Sequence, residues 1–251
     1  MNEKMNRKTI EPCLYNFLGY GNLNGSTWFL GTEEGGAEIW RFQKLTLEES
    51  LALRSSFNFA MDFRHVWEEL YGIPLKQFKG PTTWRFMAAL LLSLQGKTPD
   101  KESVQRFVFE DKLLGQLDGD HFLCEFMPLP KRGKNSIEPY NLIWSTPTQY
   151  KQEVAPKRLQ IILETLQRKQ AVKLIISYDH DATAQLLQGV RAQKAGEWVI
   201  FKNQKYFLWQ LDLEEKRKIY LLQTPFFGQG QISYPGIQTI TSTIKNAIML
   251  D

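Results

Sequence analysis

Three short stretches combine residue types that can do chemistry. Gly31-Thr32-Glu33-Glu34-Gly35-Gly36 sets two carboxylates among glycines. A carboxylate there can orient a water and take its proton, and glycine lets a ligand approach the main chain. The same residues equally suit a tight turn with two solvated acids. No phosphate cradle is expected, because the Lys-Ser/Thr ending is missing and two acids repel phosphate. In Thr224-Pro225-Phe226-Phe227-Gly228-Gln229-Gly230, exposed phenylalanines can stack on a base or wedge into a duplex. They can also be core residues under a loop, and Gln229 can read a polar edge or be an ordinary loop residue. Lys131, Arg132 and Lys134, beside Pro128 and Pro130, suit phosphate contacts or a solvated basic turn. His65, His121 and His180 lack metal-ligand spacing. Tyr178-Asp179-His180-Asp181 resembles a small catalytic cluster, yet Asp179 or Asp181 reads more simply as a helix cap.

These stretches fall where strands are expected to end. Trp28-Phe29-Leu30 is a short buried strand that should run into a loop over 31–36. Before it, residues 1–25 read as an irregular lead-in. A helix is expected over 46–71, with Thr46 and Glu49 forming a capping box. Further helices are expected over Pro81–Leu94 and Glu102–Leu117. His121–Met127 reads as a strand ending at Pro128, followed by a helix over Pro156–Gln170. Val172–Tyr178 is the cleanest buried strand, and a short helix over Asp181–Gln188 follows. Trp198–Phe201 and Tyr206–Trp209 flank a polar turn and suggest a hairpin. Ile219–Leu222 is the last strand, and residues 236–249 close the chain as a helix. Strands alternating with helices predict an α/β fold covered on both faces. The expected form is a three-layer α/β/α sandwich with a central, mainly parallel four-stranded sheet plus an added β-hairpin, in one domain over 1–251. Ligands of such sheets bind outside the carboxyl ends of the strands, which directs attention to the three stretches above.

Composition narrows the class. The chain has 251 residues, net charge +4, 43% hydrophobic residues and two cysteines, as a globular protein has. The longest near-apolar run, Phe86–Leu94, is too short for a membrane span of about 20 residues. Two cysteines make neither a disulfide framework nor a cysteine-only metal site. A cytoplasmic monomer without a cofactor or membrane association is expected. The mild positive charge permits nucleic-acid binding without arguing for it.

In order and placement, the strand-end segments resemble the uracil-DNA glycosylase superfamily over roughly residues 25–250. Trp28-Phe29-Leu30-Gly31-Thr32-Glu33-Glu34-Gly35 stands where that family has a strand ending in G-Q-D-P-Y, G-I-N-P-G or G-E-A-P-G. Leu123-Cys124-Glu125-Phe126-Met127-Pro128-Leu129-Pro130 stands where it has T-N-x-V-K-x-x-P. Leu221-Leu222-Gln223-Thr224-Pro225-Phe226 occupies the place of its H-P-S motif. The resemblance implies base flipping and cleavage of an N-glycosidic bond, with DNA, single- or double-stranded, or a nucleobase or nucleotide as partner. Carried over by position, Glu33 matches the water-activating residue, and Glu34 replaces the motif's proline. Glu125 falls at the Asn that reads the base edge. Thr224 falls at the His that stabilises the departing base. Gly31, Thr32 and Gly35 would lie against the base, and Trp40 or Phe42 would stack on it. Lys131, Arg132, Lys134, Pro225, Phe226, Phe227 and Gln229 would face nucleic acid. The departures matter: threonine cannot supply an imidazole's electrostatics, and an ionised Glu125 only accepts. A non-catalytic base-binding module of the same fold is therefore the alternative. A small-molecule hydrolase using Glu33, Glu34 and Asp179 is a third reading.

Overall fold

The computed structural model describes residues 7–35, 46–56, 58–78, 80–131, 133, 135–214 and 217–249, with main-chain geometry alone at 9, 33–35, 214 and 249. Helix α1 (Arg7–Asn16) leads into β1 (Phe17–Gly21), and β2 follows over Thr27–Gly35. Helix α2 (Leu47–Ser55) starts at the expected Thr46–Glu49 capping box and gives way to β3 (Phe59–Met61). Next come α3 (Thr82–Leu94), α4 (Lys101–Gln105), β4 (His121–Lys131) and α5 (Pro147–Arg168). The chain closes with β5 (Leu174–Ser177), α6 (His180–Gln188), β6 (Arg191–Val199), β7 (Lys205–Glu214), β8 (Arg217–Gln223) and α7 (Tyr234–Met249).

The fold is α/β, as expected, but the sheet is larger than the four strands predicted. Among the described residues it has eight strands in the order β3-β1-β4-β2-β5-β8-β7-β6. The central β4-β2-β5-β8 are parallel. The hairpin β6–β7 is not a separate addition, because β7 pairs antiparallel with β8 and extends the same sheet. At the other side, β1 lies antiparallel to β4 and parallel to β3. The segment read as an irregular lead-in thus holds a helix and a strand. Its strand, Phe-Leu-Gly-Tyr-Gly, is glycine-interrupted, and pairing with β4 rather than local propensity makes it a strand.

Other boundaries also shift. The helix expected over 46–71 stops at Ser55, and a wider π-helical turn takes His65–Leu70. The Glu102–Leu117 helix likewise ends early, through a π-helical turn over Arg106–Glu110. Helix α5 begins nine residues before Pro156, capped by Thr146. Pro156 is tolerated inside it because that face is exposed and water can satisfy the carbonyl left without an N–H partner. The predicted loop over 31–36 is strand as far as Gly35, and β4 runs on through Pro128 and Pro130. The two extensions pair with each other, Glu33 opposite Met127 and Gly35 opposite Lys131, across a bulge. Both prolines lie beyond the reach of β1, whose partners in β4 are residues 122–124, so no ladder bond is lost on that side.

Side chains alternate between two apolar cores. Phe29, Leu123, Ile176 and Leu222 pack under α3 and α7 on one face. Trp28, Leu30, Phe122, Ile175 and Leu221 pack against α1, α5 and α6 on the other. From β2 the chain passes to β4 on one side and then returns across β2 to β5 on the other. Beside β2, therefore, the crossover direction reverses. In open α/β sheets that point, at the carboxyl edge, is where ligands bind.

Candidate functional site at the carboxyl edge of the sheet

The ladder registers bring distant segments to one level. Gly31 lies opposite Glu125, Leu30 opposite Ser177, and Ser177 opposite Gln223. Strand alternation then puts Gly31, Glu125, Tyr178 and Thr224 on the α3/α7 face. The space above Gly31 is taken by Tyr178. A β-carbon at position 31 would stand 2.3 Å from the tyrosine Oη. Tyr178 in turn stacks on Phe227, with ring centroids 4.7 Å apart and planes 18° apart. Burial, with the Glu125 carboxylate adding to it, holds the Tyr178 phenol well above its ordinary pKa.

Thr224 is buried, and its hydroxyl faces main chain, with the Pro225 carbonyl at 2.9 Å and the Ser177 carbonyl at 3.3 Å. Phe227 is fully buried, so it packs as a core residue, whereas Phe226 is 41% exposed. Pro225 is buried, and Gln229 is exposed in a left-handed turn (φ 55°). Glu33 and Glu34 are placed by their main chain within β2. Trp40, Phe42, Arg132 and Lys134 lie outside the described residues.

The open space at this edge is on the opposite, α5/α6 face. A cleft of ≈ 380 Å³ lies against the carboxyl-terminal parts of β2 and β4, lined by Thr32, Met127, Lys131, Asn135, Tyr150 and Lys151 among others. That volume suits a small ligand or a single base, for which sites of roughly 300–1,000 Å³ are usual. Two of the predicted contact residues, Thr32 and Lys131, are thereby brought together. Lys131 is only 3% exposed, with its ammonium 5.9 Å from the Tyr150 ring centroid. Thr32 Oγ1 is shielded from solvent without a hydrogen-bond partner among the described residues. At the rim Lys151 pairs with Asp181 at 3.4 Å, tying α5 to α6. A second cavity, of ≈ 400 Å³, lies at the amino edge, beside Thr27, His121 and Leu174. Its position at the strand starts is the wrong end for the substrate of such a sheet.

Two supports hold this edge. Arg158, fully buried on α5, donates to the carbonyls of Leu14, Phe17, Glu125 and Phe126 at 2.5–3.0 Å. Asp179 caps α6, accepting from the N–H groups of Asp181 (2.8 Å) and Ala182 (3.0 Å), as its position suggested. Sequence reasoning missed Tyr178 as the partner of Gly31, and also Arg158. It also passed over a side-chain chain along the edge: Trp209 Nε1 to Gln223 Oε1, and Gln223 Nε2 to His180 Nδ1. The strand-end position of His180 was the available signal.

No family model matches this chain, and no curated protein matches it.

Proposed function

We propose that this protein is a divergent DNA glycosylase of the uracil-DNA glycosylase type, which takes an extruded base into the carboxyl-edge cleft and hydrolyses its N-glycosidic bond. One observation carries this. The cleft stands beside β2, where the crossover direction of the four parallel strands reverses, and Thr32 and Lys131, assigned to base and nucleic acid on other grounds, both line it. Lys131 and Lys151 supply positive charge for a phosphate beside the extruded nucleotide. In the reaction the C1′–N bond breaks and its electron pair leaves with the base. A water oriented by Glu33 gives its hydroxyl to C1′, and its proton ends on the base or in solvent.

Base release from labelled oligonucleotides tests this. The panel carries uracil, hypoxanthine, xanthine or a mismatch, in single and double strands. Release by the wild type and none by Glu33→Ala, with both folded, is the expected result. Normal release by Glu33→Ala would remove the assigned water-activating residue, and no release from any substrate would count against the enzyme.

The engagement of the Thr224 hydroxyl with main chain favours a second reading, a base-binding module that does not cleave. Its signature is DNA binding that weakens steeply with salt, without base release.

A further inference from the structure

We infer that the cavity at the amino edge is a second ligand site, and that it takes a small aliphatic carboxylic acid, its carboxylate met by the His121 Nδ1–H and the Lys245 ammonium. Substrates of such sheets bind at the carboxyl edge. This recess of ≈ 400 Å³ is instead walled by α3, α7 and the loop before β4. Its occupant is therefore separate from the base, and nothing in it depends on glycosylase chemistry. His121 carries the polar end. It is only 5% exposed, and it lines the cavity. Its Nε2 accepts from the Gly115 N–H at 2.8 Å. A ring nitrogen that accepts carries no proton, so the neutral imidazole holds its hydrogen on Nδ1. That N–H meets no acceptor among the described residues, yet it is not sealed off, and the cavity is where the ring is open.

The charges around it favour an anion. Lys245 on α7 gives one hydrogen bond to the Ser93 carbonyl, at 3.3 Å, which leaves two of its three hydrogens. Lys173, just before β5, lines the same cavity and makes no ion pair among the described residues. The one carboxylate in the lining, Asp120, is committed: it accepts from the Ser26 N–H at 2.8 Å and the Ser26 hydroxyl at 2.7 Å. Much of the remaining wall is apolar. Leu91, Leu94, Phe107, Leu113 and Ile248 line it, with the Phe107 and His121 ring centroids 6.3 Å apart and Leu113 left 37% exposed. An apolar wall beside a donor and two cations fits a carboxylate on a hydrocarbon chain. A bare phosphate would leave the wall unfilled, and an alkane would desolvate the donor without giving it a partner.

Calorimetry with octanoate on the full chain tests this. Saturable one-to-one binding is expected. Hexanoate should bind about fifteenfold more weakly, since each buried methylene is worth about fourfold. Octanol, which has the chain without the charge, should bind roughly tenfold or more weakly than octanoate. Lys245→Met is expected to weaken octanoate roughly tenfold or more, and Leu94→Trp, which fills the recess, to abolish binding, in proteins whose circular dichroism matches the wild type. Nitrogen-15 NMR of histidine-labelled wild type locates the ligand without any variant: octanoate should shift the Nδ1 signal of His121 and leave those of His65 and His180 in place. No binding at millimolar octanoate would overturn the site. Octanol binding as tightly as octanoate would overturn the carboxylate as the recognised group, and wild-type affinity in Lys245→Met would overturn that residue's part in it. An unmoved His121 signal with octanoate bound would overturn the location.

Discussion

Gly31 shows how a single residue sets the shape of this edge. Its conformation asks nothing unusual of the backbone; what it provides is space. A methyl group there would meet the Tyr178 phenol at 2.3 Å, and the ring is pinned by its stack on Phe227. We predict that Gly31→Ala costs about 1–3 kcal/mol through overpacking, read as a lower urea midpoint. The penalty should shrink in a Tyr178→Leu background, because the two positions are in contact and their effects are then not additive. Equal penalties in both backgrounds would show that the tyrosine is not what Gly31 accommodates. Under the proposed glycosylase reading Glu33 orients the water, so Glu33→Ala should abolish base release while leaving the thermal unfolding midpoint within a few degrees of wild type.

At the scale of elements, Arg158 fastens three others to its own helix. The guanidinium reaches from α5 to the last turn of α1, the start of β1 and the middle of β4, with carbonyl oxygens as acceptors. Burial lowers its pKa, and taking this charge out of water is costly. What offsets the cost is the set of charge-assisted hydrogen bonds to these main-chain carbonyls. Arg158→Met is therefore predicted to destabilise by about 3–5 kcal/mol, measured by chemical denaturation. Arg158→Lys should not rescue it, since one ammonium cannot span the positions a planar fork reaches. The loosened element would be β1, and hydrogen exchange in Phe17–Gly21 should accelerate more than in β5. Uniform acceleration in both strands would contradict this local role.

For the whole molecule, pH dependence is set in part at the amino edge. His121 is buried at the start of β4 and its Nε2 accepts from the Gly115 N–H at 2.8 Å. Burial pulls its pKa down from 6.5 to about 4. The folded state thus holds this ring neutral, while the unfolded chain takes up a proton as pH falls below 6.5. Stability should decline from pH 6.5 to about 4 and flatten below, by at most about 3 kcal/mol from this group. His121→Gln, which keeps an acceptor for Gly115, should lose that part of the profile. Identical profiles for wild type and variant between pH 4 and 6.5 would rule this out. No helix among the described residues is long and apolar enough to cross a membrane.

The division between what local sequence carries and what needs the folded chain follows from the range of the interactions. The Thr46–Glu49 capping box, the apolar run ending at Ser177, the β6–β7 hairpin and the Asp179 cap all act within a few residues, and all were readable directly. The order of the central strands was readable too, because it follows from the alternation of strands and helices. The remainder depends on partners far along the chain. β1 is a strand because β4 pairs beside it, β3 because β1 does, and the ends of β2 and β4 persist because each supplies the other's ladder. Glycine-rich and acidic residues read locally as a turn, yet long-range pairing overrides that preference. Arg158, the Tyr178 ring over Gly31 and the Trp209–Gln223–His180 chain join residues separated by 14 positions or more. No periodicity records such pairs; only close packing and the need to satisfy buried polar groups decide them.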